Sequence, residues 1–70
     1  MMTPNQQDII KHRMEMETRI DRVRSLIHGP QFHSLDIEER QRIKRQLHVM
    51  IEYSDILADR IAYFVEGVAA

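Results

Sequence analysis

Through residues 36–64 the apolar positions recur at alternating steps of four and three. Ile43, Leu47, Met50, Leu57, Ile61 and Phe64 hold that spacing, Val68 continues it, and one small polar residue, Ser54, stands in the line. Such spacing stacks side chains along one face of an α-helix and makes the a/d seam by which helices pack. A second stripe, Val49, Tyr53, Ile56, Arg60 and Tyr63, keeps the same rhythm about 110° further round, at roughly 100° per residue. The N-terminal half carries a seam of its own, Ile9, Met16, Ile20, Val23 and Ile27, interrupted by Arg13 and widened by Ile10 and Leu26. The pattern predicts two long helices, the second with two apolar faces.

Start and stop signals bound them. Thr3-Pro4-Asn5-Gln6 reads as a capping box with proline where its missing N–H costs nothing. Gly29-Pro30 ends the first helix, glycine suiting a left-handed cap and proline blocking continuation. Asp36, followed by Glu38 and Glu39, is an acidic cap that also suits the positive end of the helix dipole. The predicted elements are a helix over about 4–28, a turn over 29–35 closed by Phe32 and Leu35, and a helix over about 36–66 that frays at Gly67. Ion pairs at i,i+4 are expected for Glu15–Arg19 and Glu38–Arg42.

A seven-residue connection makes the helices antiparallel neighbours. In a lone hairpin each seam is covered from one side, and the second stripe is not covered at all. The expected fold class is therefore all-α, with residues 1–70 forming one helical-hairpin domain that dimerises into a four-helix bundle. Its core is expected from Ile9, Met16, Ile20, Val23, Ile27, Ile43, Leu47, Met50, Leu57, Ile61 and Phe64.

Composition narrows the function. The chain of 70 residues has no cysteine and a formal net charge of −1, which removes a disulfide framework and argues against a dedicated nucleic-acid binder. The start MMTPNQQD has neither a basic nor an apolar leader region, and no apolar run reaches membrane-spanning length, so neither secretion nor a membrane partner is expected. His12, His28, His33 and His48 form no metal-ligand spacing, and no metal or cofactor is expected. Asp55 and Asp59 share a helix face, but it is the outer one, where nothing tunes a carboxylate for acid–base work. No enzyme is expected. Charge is polar along the hairpin: Arg19, Arg22, Arg24, Arg40, Arg42, Lys44 and Arg45 crowd the turn end, while Asp8, Glu52, Asp55, Asp59 and Glu66 mark the other.

Tyrosine and arginine are the side chains that most often anchor interfaces. Tyr53, Ile56, Arg60 and Tyr63, with Met14 exposed on the first helix, are therefore the candidate partner-binding residues. Tyrosines and arginines at a subunit interface also suit a different task. They can stack on bases and hold phosphates, as in an oligomeric sponge that sequesters a cyclic-nucleotide immune signal. A purely structural accessory is a third possibility.

The run Phe32-x-x-Leu35, Glu39-Arg40, Gln46-Leu47-x-x-Met50-x-x-Tyr53-Ser54, Ile56-Leu57-x-x-Arg60-Ile61 resembles a large family of short phage proteins, the crAss-phage 48-related family. The likeness covers about residues 10–64. Within that family it is greatest to the quorum-sensing anti-activators of Pseudomonas phages. Arg13, His33 and His48 depart from the pattern. The resemblance implies a dimeric, non-catalytic host-takeover protein in the host bacterial cytoplasm. It would inhibit a LuxR-type quorum-sensing regulator or the type IV pilus assembly ATPase by steric blocking.

Overall fold

A computed structural model describes residues 2–66. Helix α1 spans Pro4–His28, a single 3-10 turn follows at Phe32–Ser34, and helix α2 spans Ile37–Glu66. Gly67 and the seam position Val68 lie outside the described residues.

Local chemistry sets most of these limits. At the start of α1 the Gln6 amide N–H donates to Thr3 Oγ1 at 3.2 Å, and the Thr3 amide N–H donates to Gln6 Oε1 at 2.9 Å, closing the capping box. Asp36 Oδ1 accepts from the Glu39 amide at 2.8 Å and caps α2. The end of α1 departs from expectation. Gly29 has φ −83° and ψ 164°, an extended conformation open to any residue, and its N–H bonds to the Leu26 carbonyl. The chain leaves the helix straight into Pro30, so no left-handed residue is needed.

The helices run antiparallel. Asn5, Gln6 and Ile9 lie beside Arg60 and Phe64, His12 meets Tyr53, Glu17 meets Ser54, and Met16 and Val23 lie beside Gln46 and Met50. Phe32, 3% exposed, folds under the turn, and Lys44 Nζ stands 5.8 Å from its ring centroid, where the ring face attracts the ammonium. Leu35, whose amide donates to the Phe32 carbonyl at 3.2 Å, is half-buried.

The hairpin is a rod of 49 × 19 × 15 Å with a radius of gyration of 15.8 Å, against about 11 Å for a compact chain of this length. A single layer of two helices encloses little. Ile20 and Leu57 are buried at mid-seam with Ser54. The other expected core positions, Ile9, Met16, Val23, Ile27, Ile43, Leu47, Met50, Ile61 and Phe64, are half-buried. Of the expected architecture the structure shows the antiparallel two-helix hairpin. Among the described residues, no helix is long and apolar enough to cross a membrane.

Candidate functional site

Two polar features interrupt the hairpin at its middle. Ser54, 1% exposed, donates from Oγ to Glu17 Oε1 at 2.6 Å. The same oxygen lies 3.5 Å from Arg13 Nη2, so the arginine that interrupts the first seam and the serine that interrupts the second meet through one carboxylate. Among the described residues Arg13 Nε has no hydrogen-bond partner. One face away, His12 Nε2 and Tyr53 Oη are hydrogen-bonded at 3.1 Å, with the rings edge to face at 5.5 Å.

The second stripe stands open. Val49, Tyr53, Ile56 and Tyr63 are exposed, Tyr53 at 40% and Tyr63 at 61%, and Arg60 is exposed among them. Helix α1 contributes to this face as well, and two shallow clefts open where the helices adjoin. Toward the turn, Arg19, Arg22, Met16 and Val23 of α1 face Gln46 and Met50 of α2 around a volume of about 360 Å³. Toward the open end, the amides of Asn5 and Gln6 face Arg60, Tyr63, Phe64 and Asp59 around about 460 Å³. Arg42 and Arg45 extend the basic end past Val49.

Met14 is 67% exposed but stands apart from this face. It follows His12 by two residues, about 200° round α1, so the structure does not bring it together with Tyr53, Ile56, Arg60 and Tyr63. The ion pairs also differ from the simplest sequence reading. Arg42 Nε donates to Glu39 Oε1 at 2.8 Å, taking the i,i+3 partner that the Asp36 cap holds nearby in place of Glu38. In α1 the i,i+4 pair is Arg13–Glu17, and among the described residues Glu15–Arg19 does not form.

Sequence spacing did not single out His12, Asn5 or Gln6 as part of the face. The available signal was slight: His12 lies three residues after Ile9 and four before Met16, on the flank of the first seam. Only the antiparallel packing decides which flank meets Tyr53.

Among the described residues no three His, Cys, Asp or Glu gather to hold a metal ion. The buried Ser54 hydroxyl donates to the Glu17 carboxylate, and the His12 imidazole is bonded across the helices to the exposed Tyr53 phenol. Among the described residues the arrangement offers binding surfaces. The sequence model of one protein family, Sequestin, matches residues 3–63. No curated protein and no solved structure matches the chain.

Proposed function

This chain belongs to the Sequestin family, and from that premise we propose that it is a phage-encoded sponge. In this reading, hairpins assemble in the host bacterial cytoplasm, bind a cyclic-nucleotide immune signal and hold it out of circulation. The supporting observation is the gathering of guanidinium groups, aromatic rings and side-chain amides in two clefts on one face. Arg19 and Arg22 suit phosphate oxygens, which guanidinium groups grip with paired N–H donors. Tyr63 and Phe64 offer ring faces to a base, Arg60 a stacking plane, and Asn5 and Gln6 amides to its edge. The cleft volumes, about 360 and 460 Å³, fall in the usual range of about 300–1,000 Å³ for small-molecule sites. Holding a ligand without converting it is also what the family's name describes.

A thermal-shift titration with a panel of cyclic di- and trinucleotides tests this. A ligand at about 100 times its Kd stabilises the folded chain by about 2.7 kcal/mol. The shift is expected to disappear in Arg22→Ala and in Arg60→Ala. If no member of the panel raises the Tm of the wild-type chain, the reading fails.

The exposed apolar residues of the same face favour a second reading. Tyr53, Ile56 and Tyr63 suit a protein contact, and the chain would then act by covering a surface of a host LuxR-type regulator or pilus ATPase. Capture of such a protein by the wild type and its loss with Tyr53→Ala/Arg60→Ala, with no nucleotide shift, selects this reading over the first.

A further inference from the structure

Both clefts open along the line where the helices adjoin, and one pair of side chains stands across that line between them. On α1, His12 follows Ile9 by three residues and precedes Met16 by four. Ile9 lines the cleft at the open end and Met16 the cleft toward the turn. On α2, Tyr53 lies three residues after Met50 and three before Ile56, the facing walls of the same two clefts. Steps of three and four keep each set on one helix face. His12 Nε2 and Tyr53 Oη close on each other at 3.1 Å. Their rings stand edge to face, with planes at 68°. Either imidazole tautomer holds this bond, because a phenol both donates and accepts. The groove is bridged at its midpoint by two rings that reach in from opposite walls.

We propose, resting on the ligand reading above, that the His12–Tyr53 bridge is a size filter: it splits the groove into two short compartments and so selects closed nucleotide rings over linear strands. Each compartment, about 360 or 460 Å³, has the volume of a site for one compact small molecule. Gln46 in one and Arg60 in the other lie fourteen residues apart on α2, about 21 Å at 1.5 Å per residue. A cyclic dinucleotide holds its bases and phosphates together and needs one compartment. A linear strand spreads the same groups out. It engages Arg22 and Arg60 at once only by passing the midpoint, where the two rings stand. Without that obstacle the groove would be a poor discriminator, since arginine contacts to phosphate and stacking on rings are tolerant of sequence and serve any single strand. Selectivity between two ligands of one chemistry then comes from obstructing the wrong one. His12 and Tyr53 act here by exclusion, without gripping the ligand that is kept.

Isothermal titration of the full chain with two probes tests the filter: the cyclic dinucleotide that gives the largest thermal shift, and linear tetra-adenylate. The wild type is expected to bind the cyclic probe and to bind tetra-adenylate at least about tenfold more weakly, the worth of one lost base stack. His12→Ala frees the Tyr53 ring to swing aside. It is expected to gain about tenfold in affinity for tetra-adenylate and to keep its affinity for the cyclic probe. His12→Gln, whose amide can still bond the Tyr53 hydroxyl, is expected to restore the exclusion, a rescue specific to the bridge. Tyr53→Ala opens the groove from the other wall and is expected to repeat the gain, with circular dichroism confirming that each variant is helical. A wild type that takes tetra-adenylate as tightly as His12→Ala and Tyr53→Ala do overturns the filter and leaves the ligand reading standing. So does a set of variants in which both probes weaken together. If the wild type binds no cyclic nucleotide, the ligand reading fails and the filter fails with it.

Discussion

Ser54 and Leu57 are adjacent steps of one seam, both 1% exposed, and they fail in different ways when altered. Leu57→Ala removes hydrocarbon from the most enclosed part of a thin core and is expected to cost about 2–5 kcal/mol, read as a fall in the urea midpoint. Ser54→Ala removes the donor to Glu17. Because the Glu17 side chain is 45% exposed and can turn partly to water, the expected loss is about 1 kcal/mol, by the same measurement. A loss well above that figure would mean that the carboxylate has no other outlet. The place of Ser54 in the seam was legible from its spacing, but its partner was not. Spacing allows both Glu15–Arg19 and Arg13–Glu17 as i,i+4 pairs, and the order of acid before base favours the first. What decides for the second is the serine hydroxyl arriving from the other helix, which no local pattern contains.

At the scale of the element, the helix starts were legible because a cap is a local event: Thr3 with Gln6, and Asp36 with the Glu39 amide, act within three residues. Asp36→Ala is expected to cost about 1 kcal/mol through loss of the N-cap, read as a lower thermal midpoint. The end of α1 was legible in place but not in conformation, since Gly29-Pro30 is compatible with either a left-handed or an extended exit. With φ at −83°, the glycine's freedom is not needed. A methyl group there meets the Ser25 carbonyl oxygen at 3.1 Å and the Leu26 carbonyl oxygen at an ordinary 3.5 Å. Gly29→Ala is therefore expected to change stability by no more than about 0.5 kcal/mol, the small steric squeeze offsetting the entropy removed from the unfolded chain. A left-handed exit would instead make the same substitution clearly destabilising.

For the whole molecule, the two helices and their antiparallel course followed from the seams and the short connection. The candidate face did not, because it is assembled from both helices: Arg19 and Arg22 come to Gln46, and Asn5 and Gln6 to Tyr63, only once the hairpin closes. If two chains share their folding energy, the thermal midpoint rises with protein concentration, a dependence a lone hairpin lacks.

The meeting of Arg13, Glu17 and Ser54 has a further consequence for how the chain zips. Two rods lined with interchangeable aliphatic side chains could slide a heptad past one another with little change in oil-to-oil contact. Such a slip here would bring Leu47 or Ile61 to Glu17 in place of the serine hydroxyl, pressing a carboxylate into hydrocarbon with no donor across from it. The trio works as a key cut into otherwise featureless shafts: it adds little to the strength of the closed hairpin, but about 1 kcal/mol, the worth of the serine donor, biases it toward the aligned closure.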